Sequence, residues 1–456
     1  MIENSREITP RHVRRPSAMI PLISVALDDL FGKYTVPTTE LFGNGDGDRR
    51  RIAFLYGDNG SGKTTALKLI YAALSNERNA GLRGYLARTK FSTMTLTFAD
   101  GQTITITKDG GELSGPFWYI FAGPRVNDRL HFRLNEHGRV GRESKDAILT
   151  LNEHLSILCS TIVFVNDQRT IRSNYQPWDV RSYLNARLER GRHNSAEVYS
   201  PALRPDIDTV VGSGLDHLLD ETHRLFVSKA ITGNVEANHS SGQIYLNIAR
   251  TLSRPSGVDY SPGNSDSGLF KDRIQILEHQ LGVYEKYRII EGQPLKEIGS
   301  VVRKTPARAM AQLMDVIEPY IASLEKRVDA NRQLLDMAFQ FEHNVNAFLT
   351  RKRMNFTLES GIQFVDDSGD IIEPQDLSSG ERHLLYLFSA SLLSRERNSI
   401  IIVDEPELSL NYKWQRLLVG ALLEIAGEGA QFLMATHSFE IISKYKDAVH
   451  ALDPRS

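Results

Sequence analysis

Cysteine, net charge and long apolar runs are what this 456-residue sequence lacks. Its single cysteine, Cys159, excludes an internal disulfide framework and accords with a reducing compartment. Set between LSIL and STIVFV, that cysteine reads as a packing residue rather than a reactive thiol. No stretch approaches the roughly 18 apolar residues needed to cross a bilayer. The opening MIENSREITPRHVRRP has no apolar signal core. A net charge of −2 gives no global attraction to nucleic acid or to an anionic membrane, so any such site must be a local patch. These absences predict a soluble, cytoplasmic protein with no membrane partner.

What is present is ordinary for a globular chain: 41% hydrophobic and 24% charged residues, with length enough for a sizeable core. Residues 1–17 read as a basic, poorly structured arm. Strand patterns begin with MIPLISVAL and RIAFLYG, and STMTLTFADGQTITITK alternates on both sides of an Asp100-Gly101 turn, a hairpin signal. STIVFV, residues 160–165, reads as a buried strand. After residue 170 the sequence turns polar and then helical. From about 307 to 350, Ile317, Ile321, Leu324, Val328, Leu335, Ala338 and Val345 keep a spacing near 3.5, interrupted by Asn331 and Glu342. That pattern predicts one long amphipathic helix with a coiled-coil-like seam, or a plain packed helix of a bundle. MNFTL and IQFV then return to strands, with a turn at Asp367-Ser368-Gly369. The expected organisation is an α/β head with its N-terminal half in 18–170 and its C-terminal half in 354–456. A mostly helical insertion, 171–353, separates the two.

The chemistry concentrates at two ends of the chain. AFLYGDNGSGKTTALKLI contains Gly57-x-x-x-x-Gly62-Lys63-Thr64, preceded by an apolar run and followed by an amphipathic one. This is a P-loop in its proper strand–helix context. Its glycines let main-chain N–H groups turn inward around phosphates, the helix dipole adds favourable charge, and Lys63 reaches the β and γ oxygens. Asp58, Asn59, Gly60, Ser61, Gly62, Lys63, Thr64 and Thr65 are the expected ATP-binding residues, with the Thr64 hydroxyl a ligand for Mg²⁺. SIIIVDEPELSL supplies the acids such a loop requires. Its β-branched run predicts a central parallel strand that delivers Asp404 and Glu405 to the carboxyl end of the sheet. Asp404 is then the second metal-site residue, and Glu405 the catalytic carboxylate that polarises the attacking water. A further buried strand, AQFLMAT, ends at His437, which the expected strand order brings near the γ-phosphate as a second catalytic residue.

At these positions the chain resembles the ABC-type ATPase superfamily: GDNGSGKT as P-loop, LSSGE as signature, IIIVDE as Walker B strand, PELSLN as D-loop and ATHS as switch. The resemblance implies ATP and Mg²⁺ as cofactors, and a homodimer or higher homo-oligomer in which Ser379 and Gly380 contact the ATP held by a partner's P-loop. It also points to Gln168, after STIVFV, as the superfamily's nucleotide-sensing glutamine, with simple loop packing as the alternative. The long spacing from Lys63 to the signature is similar to the recombination and chromosome-maintenance branch. LFGKYTVPTTELF, LSSGERHLLYLFSASLL and DEPELSLNYKWQRLL resemble the stand-alone ATPase subunits of antiphage systems such as Septu, PARIS and some retrons. Asn411 and Tyr412 depart from the histidine–proline pair of many such relatives.

By that resemblance the chain is expected to be a sensor or scaffold that controls a separate, nuclease-like effector protein. His343 and Asn344 sit together in FEHNVN but read as helix residues, not as a nuclease centre. Two other readings stay open: a DNA-repair or DNA-end-binding ATPase with nucleic acid as partner, and a slow, nucleotide-gated assembly platform. RSYLNARLERGRH (181–193) and RKR (351–353) are the candidate basic patches, each also explained as a solvated helix face or a cationic helix end.

Overall fold

The computed structural model describes residues 21–43, 47–58, 60–76, 80–135, 140, 144–158, 161–166, 171–173, 215–238, 264–395 and 399–454. The expected basic arm, Asn59, Cys159, Gln168 and the 181–193 patch lie outside the described residues.

The chain opens with strands β1 (Leu22–Leu30), β2 (Tyr34–Glu40) and β3 (Ile52–Tyr56), then helices α1 (Lys63–Leu74) and α2 (Ala80–Arg88). Strands β4 (Thr93–Phe98), β5 (Thr103–Lys108), β6 (Phe117–Ala122) and β7 (Asp128–Phe132) precede α3 (Lys145–Leu158), β8 (Thr161–Val165) and β9 (Ile171–Ser173). A helical region follows: α4 (Leu215–Asn238), α5 (Asn264–Lys286), α6 (Gln293–Lys304), α7 (Ala307–Ala330) and α8 (Arg332–Phe348). After β10 (Lys352–Thr357), β11 (Gly361–Asp366) and β12 (Ile371–Ile372) come α9 (Ser379–Ser394), β13 (Ser399–Asp404) and α10 (Tyr412–Ala426). The last elements are β14 (Ala430–Thr436), α11 (Phe439–Ile442), β15 (Val449–Ala451) and β16 (Asp453–Pro454).

One six-stranded sheet, in the order β15-β3-β14-β13-β8-β9, organises the molecule. Its first five strands run parallel, and β9 pairs antiparallel with β8 at the edge. Both faces of the parallel strands are covered, which explains their unbroken apolar sequences. Because successive side chains alternate between faces, each strand feeds two cores. Ile52, Phe54, Ile401, Val403, Phe432 and Met434 join the core shared with the helical region. Ala53, Leu55, Ile400, Ile402, Leu433 and Ala435 join the other, with α1 and a seven-stranded antiparallel sheet. That sheet has the order β16-β2-β1-β4-β5-β6-β7, and its β4–β5 hairpin turns at Asp100-Gly101 as its sequence predicts, with Gly101 at φ 84° and Gln102 N–H donating to Asp100 Oδ1 at 3.0 Å. Gln431 ties the two sheets together. Its side-chain amide donates to the carbonyls of Leu22 and Arg50, and its oxygen accepts from Leu22 N–H at 2.9 Å.

The helical region departs from expectation in one respect. The continuous helix predicted over 307–350 is two helices, α7 and α8, which meet at Asn331. Asn331 is fully buried at φ −101°, ψ 6°, and its side-chain N–H donates to the Arg327 carbonyl at 2.9 Å. Its side-chain oxygen packs against Gly233 of α4, where an added Cβ would be 2.8 Å away. Ile321, Leu324, Val328, Ala338 and Val345 are buried in the core that also includes one face of the parallel sheet. The seam therefore faces the body of the protein. Glu342, the other interruption, accepts from Tyr287 O–H at 2.6 Å and from Lys286. The 351–353 basic run opens β10, and its central Lys352 is held by Glu381 at 2.9 Å.

Candidate functional site

The parallel register brings the carboxyl ends of β3, β14 and β13 side by side. Asp404 stands opposite Ala435, Ala435 opposite Leu55, and Thr436 opposite Tyr56. The three segments that leave these ends are the P-loop, the 404–411 turn and the 436–438 turn.

In the P-loop, Gly60 and Gly62 hold φ values of 80° and 92°, the left-handed region that favours glycine. A Cβ on Gly62 would lie 2.8 Å from Leu30 Cδ2 and 3.4 Å from the Phe31 ring, so the loop presses directly on the β1–β2 corner. Helix α1 begins at once with Lys63 and has no side-chain cap, which leaves its first N–H groups turned into the loop. Lys63 is 6% exposed, and its Nζ donates to the carbonyls of Gly57 and Asp58 at 2.8 and 2.9 Å. Burial lowers the affinity of Lys63 for its proton, and Asp404, Glu405, Glu407 and Asp58 oppose this electrostatically. Lys63 is thereby linked to Asp404 at the end of β13 and to Glu405 and Glu407 in the turn after it. The Ser61 hydroxyl is buried and, among the described residues, has no hydrogen-bond partner.

Asp404 is 1% exposed at the last position of β13. Glu405 leaves the strand at φ 52°, a left-handed conformation that costs a non-glycine residue about 1–2 kcal/mol. Its N–H donates to the Ala435 carbonyl at 2.9 Å, which fixes the reversal. The carboxylate is thereby turned toward His437, with Nε2 and Oε1 4.0 Å apart. Asp58, Glu405, Glu407 and His437 line one cavity of about 460 Å³. Thr64 and Thr65 follow Lys63 in the first turn of α1, half-buried.

Glu407 is absent from the expectations drawn from sequence. Its Oε1 accepts the N–H groups of His437 at 2.7 Å and Ser438 at 3.2 Å. The signal was available: PEL follows Asp404-Glu405 directly, and a third acid so close to a strand end has few places to go. Phe31 is the second residue missed. It is 41% exposed at φ 58°, beside Gly62.

The signature segment lies at the start of α9, outside the lining of that cavity. Ser378 is the N-cap: its hydroxyl accepts Glu381 N–H at 3.3 Å, and Glu381 Oε2 accepts Ser378 N–H at 2.7 Å. This is a capping box, further held by Lys352. Ser379 is exposed. Gly380 is not. It is buried, and a Cβ there would lie 2.6 Å from the Ser409 carbonyl of the same chain. The need for glycine at 380 therefore has an intrachain cause, the close passage of the 404–411 turn. Asn411 caps α10 by accepting Trp414 N–H at 3.0 Å, which accounts for asparagine in place of histidine. His343 stacks on Phe339 of α8, ring centroids 5.6 Å apart. Among the described residues there is no group of three or more His, Cys, Asp and Glu placed to hold a metal ion, and no helix long and apolar enough to cross a membrane.

The GDNGSGKT loop thus leaves β3, second in the six-stranded sheet, Asp404 ends β13 with Glu405 just beyond it, and LSSGE leads into α9. Residues 224–443 match the family described as "AAA domain, putative AbiEii toxin, Type IV TA system". A "Putative ABC transporter ATP-binding protein" of Streptomyces coelicolor is 36% identical over 75 residues, 16% of this chain and 13% of the relative. One from Bacillus thuringiensis is 39% identical over 75 residues, again 16% and 13%. The chain thus spans a small part of the length of these relatives. Among solved structures, the Smc head domain of Pyrococcus furiosus, bound to the C-terminal domain of ScpA, aligns at 12% identity and a TM-score of 0.38 over 96% of this chain and 97% of that one. The Smc head of Pyrococcus yayanosii aligns at 12% identity and 0.36, over 96% and 98%.

Proposed function

We propose that this chain binds and hydrolyses ATP, and that two copies close around it. The observation that carries the reading is a cavity at the strand ends lined by Asp58, Glu405, Glu407 and His437, three of which, with Asp404, act electrostatically on the buried Lys63 of the loop. Lys63 and the inward N–H groups of α1 would take the phosphates, and the unpartnered Ser61 hydroxyl fits the same anion. The exposed Phe31 ring beside Gly62 offers the purine a stacking surface. Thr64 and Asp404 would hold Mg²⁺, whose preference for hard oxygen donors they meet. That ion would offset phosphate charge. Glu405 would orient and polarise the attacking water, with His437 facing the same space. Gln168 would serve as the nucleotide-sensing glutamine.

Ser379, exposed at the N-terminus of α9, would meet the nucleotide of a second copy. ATP would then bind the dimer more tightly than the separated chains, stabilising it by mass action. In this reading the ATPase is the sensor or scaffold of an antiphage system that holds a separate nuclease-like effector in check. Lys63→Ala tests the assignment of the P-loop: equilibrium titration with a fluorescent ATP analogue should show binding to the native chain and none to the variant. Equal affinity would overturn it. Isolation of the native complex tests the rest, with a stoichiometric nuclease expected and DNA without a protein partner contradicting it.

A further inference from the structure

Glu407 occupies a position that the reaction as described does not use. One oxygen, Oε1, accepts two consecutive main-chain N–H groups, those of His437 and Ser438, at 2.7 and 3.2 Å. The other, Oε2, is buried with no hydrogen-bond partner among the described residues. A carboxylate that captures adjacent amides fixes the direction of that peptide, and such charge-assisted bonds are roughly twice as strong as neutral ones. The peptide fixed here is the one from which the His437 ring projects.

The clamp extends beyond one residue. Ser438 N–H is shared with Thr436 Oγ1 at 2.9 Å, and Ser438 Oγ donates to Gln415 Oε1 at 2.6 Å. Gln415 in turn donates to the Leu410 carbonyl at 2.8 Å. On the other side, Glu407's own carbonyl accepts Leu410 N–H at 2.9 Å, and the Ser409 carbonyl lies against Gly380. His437 and Ser438 are thus bonded to Glu407, and Ser438 also to Gln415 of α10, while the segment that carries Glu407 passes against the start of α9.

We infer that Glu407 is a positioning residue: it holds the 436–438 turn against the 404–411 turn so that His437 and Glu405 face the same cavity, and it links that geometry to the start of α9. The inference rests on the reading of Glu405 as the water-polarising group. Removal of the clamp leaves Lys63, Asp404 and Glu405 in place but frees the His437 main chain. A misplacement on the order of 1 Å costs about 10²-fold in rate.

The test measures steady-state ATP turnover for Glu407→Ala, Glu407→Gln, His437→Ala, the Glu407→Ala/His437→Ala double variant and Glu405→Gln, with thermal unfolding of each. Glu407→Ala should lower kcat by about 10–100-fold with the KM for ATP within about threefold of the native value. Glu407→Gln, whose amide oxygen can accept the same two N–H groups, should recover most of that loss. The double variant should be no slower than the worse single variant, because both act on one group. An additive double variant, or a kcat for Glu407→Ala within twofold of native, overturns the inference. If Glu407→Ala melts at much lower temperature, Glu407→Gln decides: a folded Gln variant as slow as Ala also overturns it. Full turnover by Glu405→Gln would instead sink the underlying reading, so the two failures are told apart.

Discussion

Gly380, in the first turn of α9, lies directly against the main-chain carbonyl of Ser409: a Cβ at 380 would come within 2.6 Å of that oxygen and 3.2 Å of the Trp414 ring. Ser409 is itself held at φ 64°, so the carbonyl cannot swing away without undoing a strained turn. The signature corner and the turn that carries Glu405 and Glu407 are one packed unit.

Gly380→Ala should therefore destabilise the fold by about 1–3 kcal/mol, the usual cost of overpacking against a rigid neighbour. It should also impair ATP-dependent self-association more than ATP binding by the isolated chain. Chemical denaturation and nucleotide titration measure the two effects separately. A variant of native stability that associates normally would mean that Ser409 yields freely.

Lys108 gives a pH dependence unrelated to nucleotide. It is buried on β5, its Nζ donates to the carbonyls of Leu86 and Ala87, and it lies 4.5 Å from the centroid of the Phe91 ring. Burial pulls its pKa from 10.5 down to about 8. Protonation thus opposes folding: the folded protein releases this proton near pH 8 and the unfolded chain near 10.5. Stability should rise as pH climbs through that window, and this contribution is absent below it. Urea unfolding at several pH values should show the rise in the native protein and a smaller one in Lys108→Met. Parallel profiles would contradict the assignment.

Where the sequence speaks plainly, a local cause compels the structure. β3, β13 and β14 are apolar because both their faces are covered, and Gly60 and Gly62 are glycine because the phosphate loop requires left-handed backbone. Lys63, Asp404, Glu405 and His437 were legible as a group for the same reason: each sits at a strand end or helix start. What could not be read depends on distant partners. The seam over 307–350 continues through Asn331 in spacing, yet the helix breaks there, where Asn331 is fully buried against Gly233 of α4. The pairing of β16 with β2 joins the two ends of the described chain, and no periodicity announces it. Glu407 reads as a turn acid until its partners, 30 and 31 residues further on, are in view. Gly380 fits the signature pattern, but its burial under Ser409 is a property of the fold.

The most direct test of the account is Glu405→Gln, assayed for ATP binding, turnover and association state. The account predicts that the variant binds ATP as the native chain does and turns it over about 10²–10⁴-fold more slowly. It should also accumulate as a dimer in sedimentation when ATP and Mg²⁺ are present. Native turnover in Glu405→Gln, or a variant that stays monomeric while saturated with ATP, would contradict it.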